Sequence, residues 1–287
     1  MASDNSHTFL SLSLVRILAG VLIAYMIFCV YVYLNQEAML FITQSISAER
    51  AANLRAEGER HVEEITIIAE DGTRLHGWML HSETTEEPPS NVVIYFGGNA
   101  EEVSHMVDHV SRFSHWSFIL MNYRGYGLSG GAPGEASLYA DALQIYDYFE
   151  DKGVIRPAQT IVMGRSIGSG IGTFLAANRQ VKGAILISPY DSMANVAKDA
   201  YPFLPVNWLM KHRFEAVEHA PRVTVPLYAL IALADEIIDP ERSHVLLDHW
   251  GGETNVTEVP QAGHNTLPQT ARYWQFLEES LEALRQE

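Results

Sequence analysis

The sequence has few cysteines and few basic residues. Its one cysteine, Cys29, excludes a disulfide within the chain and leaves the redox compartment open. Lys and Arg together number 19, against 35 Asp and Glu, so the formal net charge is −16. Because binding to phosphates depends on cations, this balance disfavours a general nucleic-acid-binding role. The sequence therefore predicts no nucleic-acid partner.

Motifs for metals and phosphates are also missing. His105 and His109 stand four residues apart on a predicted helix, but no third ligand accompanies them. The glycine-rich stretch from Gly164 to Gly170 lacks the lysine of a P-loop. We therefore predict no metal site and no cofactor.

A long apolar run lies near the N-terminus. From Ile17 to Leu34 the chain has 18 residues without a charge, which as a helix would measure roughly 27 Å, close to the thickness of a bilayer core. We predict an N-terminal tip and transmembrane anchor over residues 1–36. A cleaved signal peptide and a helix packed on the soluble domain are the alternatives; the first lacks a good small-residue cleavage site. Arg16 before the run and Glu37 after it predict a single-pass protein with a cytoplasmic N-terminus and an extracytoplasmic catalytic domain.

The rest of the chain predicts one α/β domain. Residues 37–61 are interpreted as a linker and residues 62–287 as the catalytic domain. Two strand-like runs, Val62–Ala69 and Thr73–Leu80, are joined by Asp71-Gly72 and predict a hairpin. Further strands are predicted at 92–96, 117–122, 159–163, 183–188, 225–231 and 255–259. Helices are predicted between and after them at about 101–114, 135–152, 167–179, 193–200, 240–250 and 268–285.

This alternation is typical of a mostly parallel eight-stranded sheet with helices on both faces. The hairpin would form an antiparallel edge of that sheet. Residues 82–90 are acidic and proline-rich and predict an exposed loop. Residues 189–224 interrupt the alternation with prolines and aromatic residues, and they predict a small lid over the carboxyl ends of the strands.

The residues Gly164-Arg165-Ser166-Ile167-Gly168 match G-x-S-x-G, which places a serine on a sharp turn between a strand and a helix. An ordinary glycine-rich turn is the alternative reading of this short pattern. A serine hydroxyl is a weak nucleophile near neutral pH, so it needs a histidine base and a carboxylate that orients the histidine. The pattern therefore predicts Ser166 as a nucleophile only if both partners follow it.

Both partners are present in the expected chain order, serine, then acid, then histidine. Asp235 follows the predicted strand at 225–231, and His264 follows the strand at 255–259. Asp191 and Asp239 are the rival acids. We predict Ser166, Asp235 and His264 as the catalytic residues.

An oxyanion hole would use the backbone N–H that follows the nucleophile and a second one from the loop after the first long parallel strand. These positions predict Ile167 and Asn99 as donors, with Gly98 and Ala100 beside the substrate. Arg124 and Arg165 follow strands as well, and each is open to a role in substrate binding or in structure.

Several of these segments together resemble the alpha/beta-hydrolase superfamily. The segments are Tyr95–Ala100, Asn122–Gly131, Gly164–Gly170, Ser188–Ser192 and Gly263-His264. The chain is most similar to membrane-anchored serine hydrolases that include acyl-protein thioesterase-like and lysophospholipase-like members. Relatives often carry histidine where this chain has Gly97.

The resemblance implies the alpha/beta-hydrolase fold over residues 62–285, with Ser166, Asp235 and His264 as nucleophile, acid and base. Tyr190, in the segment after the strand at 183–188, is predicted to contact substrate. We expect a serine hydrolase that cleaves carboxylic ester or thioester bonds of small-molecule or lipid-like acyl substrates through an acyl-enzyme. An amidase or peptidase of the same fold and a non-catalytic membrane-anchored scaffold are the alternatives.

Overall fold

The computed structural model describes residues 5–57, 61–83 and 91–286. Parts of four predicted segments lie outside this range: residues 1–4 of the anchor, 58–60 of the linker, 84–90 of the acidic loop and residue 287 of the catalytic domain.

The described residues contain eight strands in one sheet, in the order β1-β2-β4-β3-β5-β6-β7-β8. The strands are Val62–Ile68 (β1), Arg74–Leu80 (β2), Val92–Phe96 (β3), Ser117–Met121 (β4), Thr160–Arg165 (β5), Gly183–Ile187 (β6), Leu227–Ala232 (β7) and Thr254–Val259 (β8). β1, β2 and β4 pair in antiparallel fashion, and the remaining pairs are parallel. The predicted eight-stranded, mostly parallel sheet with a hairpin at one edge is therefore confirmed.

Two strand boundaries differ from the prediction by two residues, and the other boundaries agree within one residue. β7 begins at Leu227 rather than at residue 225, because Pro226 has no N–H to donate to a neighbouring strand. β5 continues to Arg165, two residues past the predicted end, since Gly164 still pairs with Phe96 and Leu186. This extension carries the strand up to the residue before Ser166.

Helices precede, connect and follow the strands. Those in the described residues are Asn5–Leu40 (α1), Ala48–Glu57 (α2), Ser104–Val110 (α3), Glu135–Asp151 (α4), Ile167–Asn178 (α5), Met193–Ala200 (α6), Val206–Leu209 (α7), Ala216–His219 (α8), Pro240–Asp248 (α9) and Ala271–Gln286 (α10). α3 is shorter at both ends than the predicted range of about 101–114. Just before its first turn the Glu102 carboxylate accepts a hydrogen bond from the Ser104 N–H at 3.2 Å.

The core has one layer on each face of the sheet. Along β3, Val92, Ile94 and Phe96 belong to one buried apolar cluster, and Val93 and Tyr95 belong to the other. This alternation follows from the two-residue period of a strand. Burial on both faces explains why the central strands are almost wholly apolar.

The segment that follows helix α1 packs against the domain. α1 extends to Leu40, beyond the predicted anchor boundary at residue 36. Phe41 is 6% exposed and lies in one core cluster, and Ala51 and Leu54 on α2 are buried in the other. Phe41, Ala51 and Leu54, within the predicted linker at 37–61, therefore pack against the domain.

Residues 189–224 contain α6, α7 and α8 and are called the cap below. The cap exposes three aromatic side chains: Tyr201 is 46% exposed, Phe203 59% and Trp208 88%. α7 of the cap contacts α1.

A buried histidine at the hairpin predicts how stability depends on pH. His76 is 1% exposed, its Nε2 lies 2.9 Å from Glu64 Oε1, and no partner within the described residues reaches its Nδ1. Burial lowers the pKa of His76 below its ordinary value of 6.5, although Glu64 opposes this shift. The Arg55 guanidinium, against the effect of burial, lowers the pKa of Glu64 from 4.5 to about 2.

Both groups bind protons more readily in the unfolded chain, so the free energy of unfolding should decrease as the pH falls. The His76 contribution should decrease below pH 6.5, and the Glu64 contribution should decrease between pH 4.5 and about 2. Thermal unfolding between pH 8 and about 2 measures both steps. His76→Gln should flatten the first step and retain the second; an unchanged slope below pH 6.5 would contradict this assignment.

Candidate active site

Ser166 occupies the turn between β5 and α5 in a strained conformation. Its φ is 52° and its ψ is −124°, a region that residues with a side chain rarely adopt. A Cβ built on Gly164 would lie 2.3 Å from the Gly168 carbonyl oxygen, and one built on Gly168 would lie 2.1 Å from the Phe96 oxygen. Both glycines of the motif are therefore required sterically, because strand and helix backbones meet at this turn.

The structure brings the three predicted residues together. His264 Nε2 lies 3.0 Å from Ser166 Oγ, and His264 Nδ1 lies 2.7 Å from Asp235 Oδ2. Asp235 and His264 follow β7 and β8, and the carboxyl ends of parallel strands meet at one edge of a sheet. All three side chains are largely buried: Ser166 is 7% and His264 5% exposed, and the Asp235 side chain is 2% exposed.

Two contacts hold the His264 backbone in place. Its N–H donates a hydrogen bond to Glu236 Oε2 at 3.1 Å, and Arg165 Nη2 donates to its carbonyl oxygen at 3.4 Å. A Cβ on Gly263 would lie 2.5 Å from Glu236 Oε2. The glycine before the histidine therefore leaves room for the carboxylate that positions the loop.

The electrostatics favour an ionised Asp235. Burial raises the pKa of its carboxyl group, but hydrogen bonds from His264 and from the Ile238 and Ile237 N–H groups reverse this effect and hold the pKa below its ordinary value. Those two N–H groups donate to Asp235 Oδ1 at 2.8 and 2.9 Å. An ionised carboxylate accepts a hydrogen bond from the Nδ1–H of His264. The Nε2 lone pair is then free to accept the proton of the Ser166 hydroxyl.

The loop Gly97-Gly98-Asn99-Ala100 lies beside the serine. A Cβ on Gly98 would lie 3.6 Å from Ser166 Cβ. The Gly98 N–H donates to Glu101 Oε2 at 2.7 Å, and the Ala100 N–H donates to Asn99 Oδ1 at 3.0 Å. In the part of the chain that the structure describes, the N–H groups of Asn99 and Ile167 donate to no acceptor. Ile167 begins α5, so it has no acceptor within the helix.

The Asn99 side chain connects this loop to the end of α1, a contact that the sequence did not predict. Its Nδ2 donates to the Leu40 carbonyl oxygen at 2.7 Å, and its Oδ1 accepts from the Ile42 N–H at 3.0 Å and from the Tyr126 hydroxyl at 3.0 Å. The residues just after the apolar helix therefore help to fix the conformation of the loop.

Glu101 is a second residue that the sequence analysis missed. Its carboxylate accepts hydrogen bonds from the Gly98 N–H, from the Tyr95 hydroxyl at 2.5 Å and from Arg165 Nη1 at 3.1 Å. Burial opposes the charge on Arg165, yet the Glu101 carboxylate raises the pKa of Arg165 above its usual value. The Glu101–Arg165 pair thus links the loop to the His264 loop, and its local signal is an acidic residue directly after Gly-Gly-Asn-Ala.

Tyr190 differs from its predicted role in substrate contact. It is fully buried, its hydroxyl donates to the Ile167 carbonyl oxygen at 3.3 Å, and a Cβ on Gly170 would lie 2.4 Å from that hydroxyl. The ring therefore packs under the first turns of α5 and supports the helix from the core.

The rival acids have structural partners instead of the histidine. Asp191 accepts hydrogen bonds from the Ser192 N–H and from Asn195 Nδ2, both at 2.7 Å, and it pairs with Arg242 at 3.2 Å. Asp239 caps α9.

Arg124 is also structural. Its guanidinium donates two hydrogen bonds to Asp141, at 2.6 and 2.7 Å, and further bonds to Asp71 and Thr73. With these partners engaged, Arg124 connects the loop after β4 to α4 and to the hairpin turn.

Across the described residues, no group of three or more His, Cys, Asp and Glu could hold a metal ion. His105 faces Glu101 at 3.6 Å and lies edge-on to His109, with ring centroids 6.2 Å apart.

Comparisons with known proteins agree with this fold. Residues 87–214 match the family model described as Serine aminopeptidase, S33; this range includes Ser166 but neither Asp235 nor His264. An uncharacterized protein of Mycobacterium tuberculosis is 25% identical over 82% of this chain and 82% of its own. The alpha/beta hydrolase domain-containing protein WAV2 of Arabidopsis thaliana is 25% identical over 62% of this chain and 63% of its own.

Among solved structures, an esterase of Pyrococcus furiosus superposes with a TM-score of 0.67 at 14% identity and covers 86% of this chain and 97% of its own. The sheet order, the turn at Ser166 and the strand-end histidine are those of the alpha/beta-hydrolase fold. The chain has this fold, and its sequence is similar to alpha/beta hydrolase domain-containing proteins.

Proposed function

We propose that this protein is a serine hydrolase that cleaves carboxylic ester or thioester bonds of acyl or lipid-like substrates. The observation that supports this most strongly is the hydrogen-bonded series Ser166–His264–Asp235, with distances of 3.0 and 2.7 Å. Both distances lie within the range for proton transfer between a nucleophile, a base and an orienting carboxylate.

In the proposed reaction Ser166 Oγ attacks the carbonyl carbon of the substrate while His264 Nε2 takes the hydroxyl proton. Asp235 stabilises the imidazolium cation that forms. The N–H groups of Ile167 and Asn99 bind the developing oxyanion, and the N-terminal end of α5 adds a favourable dipole. His264 then gives its proton to the leaving alcohol or thiol, and it activates a water molecule that hydrolyses the acyl-enzyme.

An aminopeptidase is the second candidate, because the matching family model carries that description. Such an enzyme needs an acidic group that binds the substrate's ammonium. Of the carboxylates near the serine and histidine loops, Glu101 is paired with Arg165, and Glu236 accepts a hydrogen bond from the His264 N–H. These pairings favour an ester or thioester.

A non-catalytic scaffold is a weaker alternative. The positive φ of Ser166 costs on the order of 1–3 kcal/mol, and its hydroxyl lies 3.0 Å from His264 Nε2, an alignment that binding alone does not require. A strained serine aligned with a histidine and a carboxylate is the arrangement that catalysis requires.

We also propose that α1 anchors the protein in a membrane as a single span, with the catalytic domain outside the cytoplasm. The stretch Leu14–Leu40 is long and apolar enough to cross a bilayer, and a signal sequence would pass the same test. A retained helix is favoured because its C-terminal half contacts the cap: Gln36 Nε2 donates to the Leu209 carbonyl oxygen at 2.9 Å. Arg16 before the apolar run supports the orientation.

A substrate panel on the purified full-length chain tests the proposed chemistry. We expect kcat/KM for p-nitrophenyl esters and acyl thioesters to exceed that for aminoacyl p-nitroanilides by at least about 10²-fold, because the leaving groups of esters and thioesters depart more easily. A faster reaction with the anilides would favour the aminopeptidase. Absence of turnover with every substrate would favour the scaffold.

A further inference from the structure

A cavity of about 210 Å³ lies between α1 and the cap, apart from the Ser166–His264–Asp235 cluster. α1 contributes Phe28, Val32 and Leu40 to its wall, and the cap contributes Ala197 and Leu209. These side chains offer hydrocarbon surface to an occupant. A cavity with such walls suits an apolar ligand and excludes a charged one.

The polar group in the wall is already engaged. The Gln36 amide donates through Nε2 to the Leu209 carbonyl oxygen at 2.9 Å and accepts through Oε1 from the Lys211 N–H at 2.7 Å. Gln36 therefore ties helix to cap. An occupant of the cavity would be recognised by its shape and apolar surface.

Helix and cap are joined along the length of the cavity. At the far end the Tyr25 hydroxyl donates to the Phe203 carbonyl oxygen at 2.7 Å, and the rings of Phe28 and Phe203 stack with centroids 6.4 Å apart. At the near end Lys211 Nζ lies 4.7 Å from the centroid of the Tyr33 ring. The cap thus follows α1 back toward its middle.

These contacts place the cavity at the depth of lipid chains. From Leu40 back to Tyr25, α1 covers roughly 22 Å at about 1.5 Å per residue. If Leu14–Leu40 spans a bilayer, as proposed above, Phe28 and Val32 lie within the hydrocarbon region. Phe203, whose ring stacks on Phe28, is 59% exposed beside this part of the helix. The exposed apolar surface therefore continues from α1 onto the cap.

One residue of the cavity wall also contacts the proposed oxyanion loop. Leu40 lines the cavity, and its carbonyl oxygen accepts a hydrogen bond from Asn99 Nδ2 at 2.7 Å. Gly98, the residue before Asn99, lies against Ser166. A chain bound in the cavity would have one end near the loop that adjoins the nucleophile.

From these observations we infer that the space between α1 and the cap is the binding site for the linear acyl chain of a membrane-resident ester or thioester, which enters sideways from the lipid leaflet. This inference rests on the proposed function and on the proposed membrane span. It makes the membrane helix a wall of the substrate site as well as an anchor.

Filling the cavity tests the inference. The full-length chain is placed in phosphatidylcholine nanodiscs, and kcat/KM is measured for p-nitrophenyl octanoate and p-nitrophenyl acetate. Ala197→Phe should lower the octanoate-to-acetate ratio by at least about tenfold, because the added ring occupies the space of the chain. Ala177→Phe is the matched control: Ala177 is also a half-buried helical alanine, but it lines a different cavity beside Val223. This control should keep the wild-type ratio.

A binding measurement separates this inference from the proposed catalysis. Ser166→Ala protein is photolabelled with a diazirine-bearing palmitate ester, and the labelled peptides are mapped. We expect saturable labelling of residues 201–210, and we expect Ala197→Phe or the smaller Ala197→Leu to remove it. This result would support the acyl site even if the wild type hydrolysed no ester. Unsaturable labelling, or a chain-length ratio within about twofold of wild type in both Ala197 variants, would overturn the inference.

Discussion

Ser166→Ala protein is expected to hydrolyse esters at least about 10³-fold more slowly than the wild type. The substitution removes the oxygen that forms the acyl-enzyme and leaves the proposed oxyanion donors, Ile167 and Asn99, in place. The remaining rate should therefore be that of attack by water in a preorganised site. Steady-state hydrolysis of p-nitrophenyl butyrate measures the effect.

The fold should survive this change. Alanine keeps the Cβ and hence the backbone strain at residue 166. The substitution removes the hydroxyl and its one hydrogen bond, so the free energy of unfolding should change by about 1 kcal/mol or less. His264→Ala should lower the rate by a similar factor, and the double variant should be no slower than either single one, because the two residues act as a unit.

A second strained serine provides the control. Ser188 follows β6, has a φ of 45° and is 3% exposed, so it is similar to Ser166 in burial and in its positive φ. Ser188→Ala should retain most of the wild-type activity. A comparable loss in both variants would show that strain or folding, and not the nucleophile, explains the result.

Asp235→Asn should reduce kcat by on the order of 10³- to 10⁴-fold. The asparagine amide can present its N–H₂ to His264 Nδ1, which forces Nδ1 to become an acceptor and places the imidazole proton on Nε2. A protonated Nε2 cannot accept the Ser166 proton. Measurement of kcat and KM should show the loss mainly in kcat, since substrate contacts are unchanged.

Asp191→Asn is the matched control for this prediction. Asp191 is also a buried acid that follows a strand, and it loses its ion pair with Arg242 on substitution. Its variant should be less stable but should keep kcat within about threefold of wild type, because Asp191 orients no imidazole. If Asp191→Asn lost activity and Asp235→Asn retained it, the assignment of the acid would be wrong.

The sheet and the serine–acid–histidine cluster could be predicted because local patterns determine them. Apolar runs separated by helical segments fix the parallel sheet, and each of Asp235 and His264 stands just after such a run. The carboxyl ends of parallel strands meet at one edge of the sheet whatever the loops contain. The positions of the three residues at strand ends were therefore enough to predict that they lie close together. The position of Tyr190 after β6 does not reveal that its ring is buried in the core under α5.

The contacts between distant segments could not be predicted. Asn99 bonds to Leu40 across 59 positions of sequence, and Arg165 bonds to Glu101 across 64. Neither pair has a periodic or spacing signal, because side-chain packing in three dimensions determines which polar groups meet. The contact between α1 and the cap is of the same kind, and it underlies the proposal that the helix is a wall of the substrate site.

Reaction of the wild-type chain with a fluorophosphonate, followed by peptide mapping, directly tests whether Ser166 is an activated nucleophile. The reagent bonds covalently to a serine oxygen only where a base has activated it and donors stabilise the oxygen on phosphorus. We predict a single stoichiometric adduct on the peptide that contains Ser166, and we expect His264→Ala to abolish this adduct. An unlabelled chain, or an adduct on another serine while Ser166 stays unmodified, would contradict it.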